Sequence, residues 1–133
     1  LEELGCFGVV LEKIPADLAK QESQAANAFA GLTKTLVSKH AWVKNYGVTI
    51  PVEETTLGSE SYWQLSGCKP HDCPSEKYVV FISKKSNHAV GAFLTNQLAA
   101  TGNVSDSTIQ WLGQPTDKQV AELATALFPA PGR

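Results

Sequence analysis

The densest cluster of chemically capable side chains is Gly67-Cys68-Lys69-Pro70-His71-Asp72-Cys73-Pro74, which holds two cysteines, an imidazole, an amine and a carboxylate. As thiolates, Cys68 and Cys73 would join His71 as zinc ligands, with His40 or His88 recruited for the fourth position. A structural zinc motif normally brings two separated ligand pairs, and this chain carries one. If oxidised, the same cysteines would close a small ring around a Pro-containing turn, provided their Cβ atoms face each other. Chain entropy makes such a ring worth about 2 kcal/mol, and its larger effect is local rigidity. Disulfides persist in oxidising compartments, so the pair suggests the periplasm or the cell exterior. Cys6 stands apart, as a buried or free thiol or as half of an intermolecular bridge.

Hydrolytic chemistry has less to build on. A nucleophile needs a base within reach and a third group to orient it, and His40, His71 and His88 are the three histidines. No Gly-x-Ser-x-Gly elbow occurs, and Gly58-Ser59-Glu60-Ser61 reads as a turn with hydroxyls. Thirteen acidic residues could supply a glycosidase pair, yet no pattern selects two of them. Gly-rich phosphate cradles are missing, and Asn103-Val104-Ser105 matches a glycosylation triplet that chance supplies often. His40 is expected to assist the C-terminus of a helix, and His88 to be solvated beside a turn. Trp42, Trp63 and Trp111 read as core or sheet-packing residues. What remains is the loop itself, closed, rigid and polar at its tip. A preorganised loop of this kind loses little freedom on docking, which favours a binding role over a bare turn.

The elements that must hold this loop follow from periodicity. Ala26, Phe29, Ala30, Leu32, Leu36 and Val37 recur at helical spacing over 22–37, with Ser23 as a possible N-cap. The period then changes to two, and strands are expected at 55–57, 61–65, 77–83, 89–95 and 107–112, with a polar hairpin turn over 84–87. Thr116 and Gln119 form a capping box after Pro115. Val120, Leu123, Ala124 and Leu127 then trace a helix that Pro129 and Pro131 end. Helix, antiparallel strands, helix makes an α+β domain: a sheet of about five strands flanked by an N-terminal and a C-terminal helix.

Length and composition agree. The 133 residues suit a single domain over 1–133, with 43% hydrophobic and 18% charged residues. A net charge of −2 and a pI near 5.9 oppose nucleic acid as a partner. No apolar run is long enough for a membrane span, so a soluble protein is expected. The chain opens at Leu1 and has no methionine. Glu2 and Glu3 precede the mildly apolar residues 5–11, where a signal peptide would be positively charged. A mature exported protein with its leader removed is the expectation.

The hexapeptide Cys68-Lys69-Pro70-His71-Asp72-Cys73 resembles the signature of the bacterial inhibitor of vertebrate lysozyme (Ivy) family. The likeness continues in Ala41-Trp42-Val43, Thr56-Leu57-Gly58, Tyr62, Lys85-Ser86-Asn87, Gly91, Phe93 and Trp111-Leu112, over about residues 25–112. It departs in the first twenty residues with Cys6, in Pro74 where glycine is expected, and in a short C-terminus. Residues 1–21 then read as a variable N-terminal extension.

The resemblance implies a periplasmic inhibitor, monomer or homodimer, with no catalytic residue, cofactor or metal of its own. Its loop would enter the active-site cleft of a c-type lysozyme. His71 would sit between the two catalytic carboxylates, while Lys69, Pro70 and Asp72 shape the plug and a Cys68–Cys73 bond holds it. Such enzymes pair a glutamic acid in an apolar pocket with an ionised aspartate, and that charge attracts a protonated imidazole. The rival reading is a control protein acting on the cell's own lytic transglycosylases, which also carry a catalytic carboxylate. A metal-binding or enzymatic domain is the third.

Overall fold

The computed structural model describes residues 13–128, so Cys6, Pro129 and Pro131 lie outside the described residues. The first element of the described residues is α1 (Pro15–Gln21), which the sequence reading did not anticipate. Pro15 occupies the first helical position, where its missing N–H costs nothing, and the Asp17 carboxylate accepts the Ile14 N–H at 3.2 Å. Leu18 is buried in the core.

The single helix expected over 22–37 is two helices, α2 (Ser23–Leu32) and α3 (Lys34–Val37). The break falls at Thr33, whose buried hydroxyl donates back to the Phe29 carbonyl at 2.8 Å. Ser23 is the first helical residue rather than the cap. The buried stripe is Ala25, Phe29 and Leu36, with Ala30 exposed. A 3-10 helix (Ala41–Asn45) follows and buries Val43.

Among the described residues, six strands form one antiparallel sheet: β1 (Val48–Thr49), β2 (Glu53–Leu57), β3 (Glu60–Cys68), β4 (Glu76–Ser83), β5 (Ala89–Leu98) and β6 (Val104–Leu112). β1 and β2 pair with successive parts of β3, and the order then runs β3-β4-β5-β6. Helix α4 (Asp117–Leu127) is the last element of the described residues. The α+β architecture is therefore as expected, with β1 added.

β4 lies in the middle and is apolar on both faces, as Tyr78-Val79-Val80-Phe81-Ile82 demands. Tyr78, Val80 and Ile82 join Phe29, Leu36, Val43, Leu65 and Phe93 under the N-terminal helices. Val79 and Phe81 join Tyr62, Leu94, Leu123 and Leu127 under α4. The capping box holds as expected: Thr116 Oγ1 accepts the Gln119 N–H at 3.3 Å, and Gln119 Oε1 accepts the Thr116 N–H at 2.8 Å.

Trp42 and Trp63 pack partly buried against the helix-side core. Trp111 is 40% exposed, contrary to its expected packing role. It pairs with Ala92, whose side of the sheet α4 covers, but it sits on the edge strand.

Candidate functional site

The hairpin between β3 and β4 carries the hexapeptide. Its ladder ends at the pair Cys68–Lys77, and the Lys69 N–H then donates to the Glu76 carbonyl at 3.0 Å. The Asp72 N–H closes on the Lys69 carbonyl at 3.0 Å, making Lys69-Pro70-His71-Asp72 a β-turn. Pro70 presets the second position. His71, third, has φ +65°, the left-handed value that a type II turn requires and that usually selects glycine. A side chain there costs about 1–2 kcal/mol, and such strain tends to collect at functional sites.

The ring is closed: Cys68 and Cys73 are bonded, with their Cα atoms 4.8 Å apart. A second tight turn follows, in which the Ser75 N–H donates to the Asp72 carbonyl at 3.1 Å and Ser75 Oγ to Asp72 Oδ1 at 2.8 Å.

The four candidate contact residues are therefore not equivalent. Pro70 and His71 are exposed at the apex, whereas Lys69 and Asp72 are half-buried. Asp72 is turned toward Ser75 and braces the loop from within.

The root of the hairpin is clamped from the helix side. Glu76 Oε1 accepts the Trp42 indole N–H at 2.6 Å and lies 3.1 Å from His40 Nδ1. Contrary to expectation, the His40 ring does not serve a helix C-terminus. The ring packs at a tilt of 43° against Phe93, 4.6 Å between centroids, and pairs with Glu76. Two glycines permit this approach. A Cβ on Gly47, at φ +70°, would collide with the Cys68 carbonyl and the Trp42 ring, and one on Gly67 with the Tyr46 carbonyl. Beneath them the Tyr78 hydroxyl donates to the Tyr46 carbonyl at 2.9 Å, and burial raises the Tyr78 phenol well above the ordinary tyrosine value.

On the other face, Lys77 Nζ donates to the Leu127 carbonyl at 2.5 Å, and burial lowers its amine below the usual lysine range. A groove of about 550 Å³ opens beside it, lined by Val48, Ile50, Ser66 and the back of Cys68.

The remaining candidates are dispersed. His88 is exposed at the far end of β4, beside the 84–87 turn, and His40 is held on Glu76. Neither joins His71. Among the described residues, no three His, Cys, Asp or Glu side chains are grouped to hold a metal. Gly58-Ser59 is the β2–β3 turn, and Lys84 from the next hairpin reaches Glu54 at 2.6 Å, holding that carboxyl below its usual range. Glu76 and Ser75 were not singled out from the sequence, and Trp42 was given only a packing role; the Trp42–Glu76 bond joins elements 34 residues apart, and the Ser75 bond to Asp72 depends on the turn itself.

Residues 26–127 match the model of the family described as inhibitor of vertebrate lysozyme (Ivy). Over 90 residues the chain is 38% identical to the inhibitor of vertebrate lysozyme of Escherichia coli K12, an alignment covering 68% of this chain and 54% of that protein. It is also 36% identical over 91 residues to an uncharacterized protein of Yersinia pestis, covering 65% of this chain and 59% of the relative. A stretch of 21 residues is 86% identical to a 3-methyl-2-oxobutanoate hydroxymethyltransferase of Flavobacterium johnsoniae, covering 16% of this chain. That stretch is 8% of the enzyme, too little to carry its activity. The chain spans about half the length of the E. coli relative.

Proposed function

The chain belongs to the inhibitor of vertebrate lysozyme family, and from that premise we propose that it inhibits a c-type lysozyme by seating the 68–73 loop in the active-site cleft. One observation supports this reading above the others: an exposed imidazole held at left-handed φ on the apex of a disulfide-closed turn. Its position is fixed before the partner arrives, so docking orders little that was free.

In this reading His71 enters between the catalytic acid and the ionised aspartate of the target. A protonated ring there gains charge-assisted hydrogen bonds, and the enzyme can no longer protonate its leaving group or admit sugar. Pro70 and the ring fill the space around it, and Lys69 and Asp72 shape the plug's base. The protein cleaves nothing itself and needs no cofactor. A standard interface buries about 1,600 Å², more than one loop supplies, so flanking surface contributes as well. The periplasm suits a ring that must remain oxidised. No helix of the described residues is long and apolar enough to cross a membrane.

The test is a titration of c-type lysozyme acting on cell walls. Activity should fall to near zero at equimolar protein, and oligosaccharide ligands should compete with the inhibitor. Inhibition that sugar cannot displace would move the contact to a remote site. A parallel titration against lytic transglycosylases decides whether the cell's own enzymes are the target instead.

A further inference from the structure

β5 runs past the end of its ladder with β4. The last register pair is Glu76–Thr95, and the next residue of β5, Asn96, faces the return limb of the loop. Its backbone N–H donates to the Ser75 carbonyl at 2.8 Å, and its side-chain Nδ2 donates to the Pro74 carbonyl, also at 2.8 Å. The Ser75 N–H is committed to the Asp72 carbonyl in the turn, so the reciprocal ladder bond to Asn96 is not made, and the Asn96 side chain supplies the second link through the Pro74 carbonyl. The orientation of the amide is determined as well. The Pro74 carbonyl can only accept, so the nitrogen end must face it. Ser107, the register partner of Asn96 on β6, donates its hydroxyl to the oxygen end at 2.6 Å.

We propose that Asn96, oriented by Ser107, is a positioning residue for the inhibitory loop: it latches the return limb to β5 and so fixes the direction in which the ring presents His71. The disulfide ties the same limb to β3, and Asn96 ties it sideways to the other half of the sheet. The latch itself is a property of the free protein. Its consequence for inhibition rests on the lysozyme reading above.

Asn96→Asp keeps the size and the backbone bond but sets a carboxylate oxygen against the Pro74 carbonyl. Hydrogen exchange on the free variant should be several-fold faster at the Asp72 and Ser75 amides and unchanged at Val80 and Phe93. Ser107→Ala should shift the same amides by a smaller factor. Lysozyme affinity of Asn96→Asp should drop on the order of tenfold, chiefly through faster dissociation. Combined with His71→Ala, the loss should be smaller than the product of the single losses, because both act through one contact. Unchanged loop exchange, or losses that multiply fully, would overturn the proposal. If the parent chain fails to inhibit lysozyme, the functional reading fails alone, and the exchange measurement still decides the latch.

Discussion

The indole of Trp42 and the carboxylate of Glu76 are joined by a 2.6 Å hydrogen bond, and Glu76 is also the residue whose carbonyl receives the first amide of the loop. A short 3-10 helix on one face of the sheet thereby holds the start of β4, into which the loop returns. Trp42→Phe would leave the half-buried carboxylate with His40 as its remaining side-chain partner. Loss of a hydrogen bond to a charged group should cost about 1.5–3 kcal/mol in denaturant unfolding, with faster exchange at the Lys69 amide.

His71→Ala should weaken lysozyme binding by about 2–4 kcal/mol, as expected for a central charge-assisted contact, without abolishing it. Isothermal titration of the parent and the variant against a c-type lysozyme measures the loss, and a variant that binds as tightly as the parent would make His71 a bystander.

His71→Gly separates strain from contact. Glycine relieves the left-handed backbone at a comparable entropic cost, so folding stability should stay within about 1 kcal/mol of the parent while affinity falls. His71→Val should be less stable than the glycine variant by about 1–2 kcal/mol, because a branched side chain tolerates that φ poorly. Paired thermal melts decide the order.

Replacing Cys68 and Cys73 together with serine should cost about 2 kcal/mol of stability at most, since the ring closes only a short loop. The larger loss should be in affinity, because an open loop must be ordered on docking. Parallel melting and inhibition curves test this, and equal losses in both would show that the ring serves the fold.

Alkaline stability should follow Tyr78. Burial raises its phenol, so the folded state resists ionisation that the unfolded chain undergoes at about pH 10. The associated stability is complete below that pH and is lost as pH rises beyond it. Tyr78→Phe should cost about 1 kcal/mol at neutral pH through the lost bond to Tyr46, and its stability should fall less steeply above pH 10.

The sheet was legible where burial is one-sided or complete, as in β3 and in the Tyr78-Val79-Val80-Phe81-Ile82 run of β4. The first half of β6 is exposed and shows no alternation, and β1 has only two residues, so neither left a periodic trace. The helix over 22–37 was correct in type but not in unity, since the Thr33 back-bond outweighs a continuous apolar stripe. The hexapeptide announced itself through spacing. Its supports did not: the strand was expected to stop at Thr95, one residue short of Asn96, and the meeting of Trp42 with Glu76 depends on how distant elements pack.

Neither hydrophobic cluster contains any residue from 69–75. In the proposed reading, substitutions in the loop and substitutions in the core therefore act on different properties, recognition and stability. On that reading, Lys69, Pro70 or His71 can be replaced while the folded scaffold stays intact, and core substitutions need not alter what the loop recognises. The joints where this independence ends are Cys68, Cys73, Glu76 and Asn96, which should be the slowest positions of the hairpin to change.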